Sequence, residues 1–128
     1  MIGLFLITHG TLGESMLQCA CHVLNKRPPQ MAQLGVAAQD DPLDLLPVAQ
    51  QMVGWTDKGA GTLVLTDLFG ATPSNIATKL IEPGRVEVIA GLNLPMLMRA
   101  LTYRDRDMTT LIQRAVSGGC EGVLHVRR

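Results

Sequence analysis

Four short apolar runs recur along the chain, each followed by a stretch of helical periodicity, and this alternation limits the fold more than any other feature. Residues 2–7 (IGLFLI), Thr62–Thr66 (TLVLT) and Val86–Ala90 (VEVIA) carry almost no polar alternation, and residues 32–37 form a weaker fourth run. Strands without a polar face are buried on both sides, which implies a parallel sheet covered by helices above and below. The intervening segments supply those helices. After the first run, Leu12, Met16, Ala20, Val23 and Leu24 form one stripe, and Pro28-Pro29 requires that helix to stop by Arg27. Asp44 is a candidate N-cap for a second helix that turns Leu45, Val48, Ala49, Met52 and Trp55 inward. Pro47 then falls in its first turn, whereas a start at Asp41 would place that proline where it kinks the helix. Thr72 reads as the N-cap and Pro73 as the first residue of a third helix that ends before Pro83-Gly84. Two more helices are expected over residues 94–103 and 108–117, the latter capped by Asp107. Gly118-Gly119 then breaks the pattern before a short last strand over residues 122–126. The expected architecture is a small doubly wound α/β domain with a mostly parallel four-stranded sheet in the order 2-1-3-4.

Composition narrows the function. The 128 residues suit a single domain spanning 1–128, and 47% apolar residues are enough to build a core. Eleven Lys and Arg balance eleven Asp and Glu, so no basic field points to nucleic acid or an anionic membrane. One Trp, one Tyr and two Phe make a poor base-stacking platform. No apolar segment approaches the roughly 20 residues of a membrane span, and Met1-Ile2-Gly3 enters the first strand without a basic leader. Cys19 and Cys21 stand two apart on a helix and point away from each other. Reduced thiols and a cytoplasmic location are therefore expected.

In a doubly wound sheet the ligand site lies beyond the carboxyl ends of the strands, where strand order reverses. With strands one and three adjacent, the loops THGTLGES and TDLFGATPSN meet there, joined by AGLNLP after the fourth strand. His9 and Asp67 should then face each other. A carboxylate on one imidazole nitrogen fixes the tautomer, frees the other nitrogen as a nucleophile and stabilises the cation formed after attack. Two helix starts flank the pair, one after Gly10-Thr11 and one at Thr72-Pro73-Ser74, and their N–H and hydroxyl donors suit a phosphoryl group. Gly10, Thr11, Thr72 and Ser74 are therefore the candidate phosphoryl-binding residues. Phosphoryl transfer depends mainly on positioning and charge stabilisation, so neither metal nor cofactor is expected. The segment CACH around His22 lacks zinc-site spacing, and His125 lies in the last strand. From the residues alone a second reading also stands: a structural histidine at a strand end, an Asx-turn at Asp67 and an ordinary helix start at Thr72-Pro73.

Taken together, LITHG, VLTDLFGATPSN and VIAGLNLPML, in this order and spacing, resemble the enzyme IIA component of the mannose-type bacterial sugar phosphotransferase system. The resemblance covers most of the chain and weakens in the second strand and its helix. It implies a phosphotransferase working through a phosphohistidine: His9 would accept a phosphoryl group from the carrier HPr and pass it to a IIB protein, with Asp67 orienting the ring. Thr72 stands where many members have serine, and Phe69 where tryptophan is frequent. The resemblance also implies a homodimer that exchanges its C-terminal strand. The chain shows no alanine- and proline-rich linker to a IIB domain, so a free-standing IIA serving transport or regulation is expected. Two alternatives share the His-Gly strand end. One is the IIA-like phosphoryl donor subunit of dihydroxyacetone kinase; the other is a small tetrapyrrole metal chelatase, which would need further histidines at the same crevice.

Overall fold

The computed structural model describes residues 1–128. Nine elements follow one another: β1 (Gly3–His9), α1 (Leu12–Leu24), β2 (Met31–Val36), α2 (Pro42–Thr56), β3 (Thr62–Thr66), α3 (Thr72–Thr78), β4 (Val86–Ala90), α4 (Leu94–Tyr103) and α5 (Met108–Glu121). The four strands form one parallel sheet in the order β2-β1-β3-β4, as the alternation of runs predicts. Strand order reverses between β1 and β3, where Ile7 pairs with Thr66. His9 and Asp67 therefore leave the sheet side by side.

Side chains alternate across each strand, so the sheet feeds two cores. Leu4, Leu6, Leu63 and Leu65 pack with Ala20, Leu97, Ala100 and Leu111 on the face covered by α1, α4 and α5. Phe5, Ile7 and Val64 pack with Ala49, Ile76 and Ala77 under α2 and α3. Full burial of each large apolar side chain contributes about 1.5–3 kcal/mol, which makes β1 and β3 the most firmly held parts of the sheet. The edge opposite His9 is tied by polar groups. Arg104, 3% exposed, donates from Nε to the Ile2 carbonyl and from a terminal nitrogen to the Gln30 carbonyl. Asp57 accepts from the N–H groups of Gly59 and Gly61 and pairs with Arg85 at 2.7 Å.

The helices depart from the sequence reading in four places. The buried face of α1 is Gly13, Leu17 and Ala20, while Leu12 and Val23 are exposed. The helix is rotated because Gly13, too small to count as apolar, is the residue that meets the sheet. α2 starts at Pro42, capped by the Asp41 carboxylate, which accepts from Leu43 N–H; Asp44 lies in the first turn and Pro47 inside the helix. Val48 and Trp55 face outward. Thr72 is the first residue of α3 and Ala71 its N-cap. α5 runs through Gly118-Gly119 to Glu121, because a Cβ on Gly118 would lie 2.6 Å from Arg99 Cβ and one on Gly119 2.9 Å from Met96 Cε. Those glycines let α5 lie against α4 instead of ending it. Residues 123–128 pair with no strand of the chain, so the strand expected over 122–126 is not formed.

Candidate active site

β1 ends on His9 because Thr8 and His9 still pair with Gly35 and Val36 of β2, after which Gly10 turns the chain with a φ of +53°. That value lies in the left-handed region, where a side chain is strained, so the turn favours glycine. The Gly10 N–H donates to the Val36 carbonyl at 2.9 Å, and its own carbonyl lies against Gly35, where a Cβ would collide with it.

Asp67 follows β3 by one residue and joins the histidine through a single oxygen. Its Oδ2 accepts from the His9 backbone N–H at 3.0 Å and lies 2.9 Å from His9 Nδ1, while Oδ1 accepts from Leu68 N–H at 3.0 Å. Burial would raise the Asp67 carboxyl, but the His9 N–H, the ring hydrogen bond and the ring's charge outweigh it and hold the group below its ordinary value. The carboxylate is thus ionised at neutral pH and can only accept. Whenever the ring is neutral its one proton is on Nδ1, facing the carboxylate, and the Nε2 lone pair is free. The His9 side chain is 52% exposed and that of Asp67 11%, so the carboxylate is covered and the imidazole is open.

The remaining candidates surround this pair unequally. Thr11 is exposed and makes no side-chain cap bond to α1. Thr72 is half-buried, and no side chain caps the start of α3. Ser74 is buried and accepts from Gly70 N–H at 3.3 Å, which ties the loop after Asp67 to α3. The N–H of Gly10 is already engaged, so that residue contributes conformation, not a donor. The sequence reading missed the role of Thr8 and the exposure of Leu68 beside Phe69. The Thr8 hydroxyl is the side-chain acceptor that holds the first turn of α1, at 2.7 Å from Gly13 N, although threonine in an apolar run reads only as a strand former. Leu68 and Phe69, 61% and 80% exposed, form an apolar knuckle directly after Asp67.

No deep pocket is needed for such a group. The two roomiest cavities, about 440 and 450 Å³, lie along α1, one lined by Leu17, Met31 and Trp55 and the other by Cys19, His22 and Leu94; neither touches His9. An open imidazole suits a reaction between two macromolecules better than one on an enclosed small molecule.

Fold and site together define a doubly wound α/β protein that presents one carboxylate-held imidazole at the switch point of its sheet. The family model described as "PTS system fructose IIA component" matches residues 3–116. The mannose-specific EIIAB component of Escherichia coli K12 is 30% identical over 125 residues, 95% of this chain. The chain spans 38% of that relative's length. The mannose/sorbose-specific IIA subunit from Enterococcus faecalis superposes with a TM-score of 0.88 at 25% identity, covering 99% of this chain and 96% of that one. The system component EIIA from Streptococcus agalactiae gives 0.86 at 25% identity, covering 98% and 97%. The chain belongs to the mannose-type family of phosphotransferase-system IIA components.

Proposed function

We propose that residues 1–128 act as one IIA unit in which His9 accepts a phosphoryl group from phospho-HPr and passes it to a IIB protein. The observation that carries this reading is the 2.9 Å contact between His9 Nδ1 and Asp67 Oδ2, with the other ring nitrogen left to solvent. The Nε2 lone pair attacks the phosphorus of the donor phosphohistidine. As the new N–P bond forms, the donor's N–P bond breaks and its electron pair stays on the donor nitrogen. The His9 ring becomes cationic, and Asp67 stabilises it through the retained Nδ1 proton. Transfer to IIB reverses these steps on a second acceptor. The hydroxyls of Thr11 and Thr72 are the groups assigned to the phosphoryl oxygens, with Gly10 shaping the turn and Ser74 holding the facing loop.

The same reading includes a homodimer. Past the bridge that Val86 makes with Glu82, the outer edge of β4 pairs with no strand of the chain, and Val123, Leu124 and Val126 are 68–78% exposed beyond α5. Exchange of this tail onto a partner's β4 would cover both. No helix is long and apolar enough to cross a membrane, which fits work with carriers on the cytoplasmic side.

The test is incubation with phosphoenolpyruvate, enzyme I and HPr, followed by intact-mass measurement at neutral pH. Wild type should gain one acid-labile phosphoryl group and His9→Ala none. An unmodified wild type beside demonstrably phosphorylated HPr would overturn the assignment.

A further inference from the structure

Thr8 and His9 are consecutive strand residues, so they point to opposite faces of the sheet. His9 turns to Asp67. Thr8, fully buried, turns to α1, where its Oγ1 accepts from Gly13 N–H at 2.7 Å. Thr11, the residue at the N-cap position, makes no such bond, so the helix is capped by a side chain three residues upstream of its usual place. The fit is close: a Cβ on Gly13 would lie 2.9 Å from Thr8 Oγ1 and 3.4 Å from Gln33 Oε1. Between His9 and the first residue of α1 there are only Gly10 and Thr11. Their conformation is held at the sheet by Gly10 N–H on the Val36 carbonyl and at the helix by the Thr8 hydroxyl.

We infer that Thr8 is a positioning residue for phosphoryl transfer: its buried bond to Gly13 sets the β1–α1 turn, and with it the aim of the His9 ring and the place of Thr11. Because Thr8 takes over the capping bond, the Thr11 hydroxyl is released from that role and left for the phosphoryl oxygens. This rests on His9 being the phosphorylated residue. Thr8 touches no reacting atom and acts only through its neighbours.

Thr8→Val keeps the shape, removes the acceptor and leaves a buried N–H unpaired. The turn then relaxes by a fraction of an ångström, a displacement that costs about 10–100-fold in a reaction governed by alignment. The experiment is steady-state transfer from phospho-HPr to the folded protein, with folding of each variant checked by circular dichroism. Thr8→Val should lower the saturating rate by about 10–100-fold with KM for phospho-HPr changed less than about twofold, because the docking surface is untouched. Thr8→Ser, which restores the acceptor, should return the rate to within about threefold of wild type, the residue of a slightly looser rotamer. Gly13→Ala presses on the same bond from the helix side and should reproduce the rate loss, which keeps the test open should Thr8→Val not fold. A wild-type saturating rate in either folded variant, with only the melting temperature lowered, overturns the inference and leaves Thr8 a structural threonine. A failure of Thr8→Ser to recover the rate, or a loss confined to KM, overturns it as well. An unphosphorylated wild type sinks this inference and the proposed function together, whereas a phosphorylated wild type matched by Thr8→Val sinks this one alone.

Discussion

Asp67 uses both oxygens, one on Leu68 N–H and one shared between the His9 backbone and ring, so its carboxylate is the joint through which strand and loop geometry reaches the imidazole. Asp67→Asn preserves shape but presents either a donor or a weaker acceptor to Nδ1. Where the amide donates, the ring proton moves to Nε2 and the lone pair is on the wrong nitrogen. Transfer from phospho-HPr should fall by about 10–1000-fold with the fold retained, as stopped phosphorylation time courses would show. The same variant carries a pH signature. The native Asp67 carboxyl lies below its ordinary value, so the unfolded chain binds the proton more readily. Its stabilising contribution is complete above the ordinary carboxylate value of about 3.9 and is lost as the pH falls through the lowered native one. Urea unfolding of Asp67→Asn should therefore show a shallower loss of stability below about pH 4 than wild type. An unchanged transfer rate would reduce Asp67 to a turn residue. The His9–Asp67 pairing was legible in the sequence because both residues sit just past apolar runs whose order follows from the alternation. Thr8 was not, since nothing in an apolar strand distinguishes a threonine that caps a helix from one that merely favours extended backbone.

At the scale of elements, packing decides where propensity is ambiguous. Strands of near-continuous apolar residues and the caps at Asn93 and Asp107 are local signals; both caps accept from backbone N–H groups of the helices they open. The end of α5 is not local. Two adjacent glycines lower helix propensity by roughly 1 kcal/mol each, yet the helix continues because the contact with α4 has no room for side chains. α2 carries the opposite case: Gly54 is exposed, helical and faces open space. Gly54→Ala should stabilise the protein by about 0.5–1 kcal/mol, chiefly by restricting the unfolded chain. Gly118→Ala gains the same propensity but must displace the Arg99 stem and should destabilise by about 1–3 kcal/mol. Urea melts of the two variants measure the difference, and equal shifts would mean that the α4–α5 contact yields freely. The faces of α1 and α2 were misjudged for a related reason. Apolar periodicity treats Gly13 as neutral and Trp55 as core, whereas sheet contact selects the small residue and the long helix leaves the large one outside.

For the whole molecule, one chain leaves two complementary surfaces open. Past Val86, which bridges to Glu82, the outer edge of β4 faces no strand, and a tail with three exposed apolar residues among its six projects from α5 without pairing. A groove of about 310 Å³ lined by Ile89, Met96, Val116 and Val123 connects the two. An added strand at this edge would cover backbone groups that otherwise invite uncontrolled association. The tail lies beyond residues 3–116 that the family model matches, so the case for exchange rests on these surfaces. The strand expected at 122–126 finds no partner within the chain, and the exchange proposed above would leave no trace in the chain's own periodicity. Deleting residues 123–128 removes the tail and touches none of the groups around His9. Sedimentation equilibrium should then show a dimer for the intact chain and a monomer for the truncated one. Phosphorylation at His9 should persist in both, since each protomer supplies its own His9, Asp67 and Thr72. A truncated chain that stays dimeric would move the interface elsewhere, and one that loses phosphorylation while folded would mean that the partner's tail completes the site.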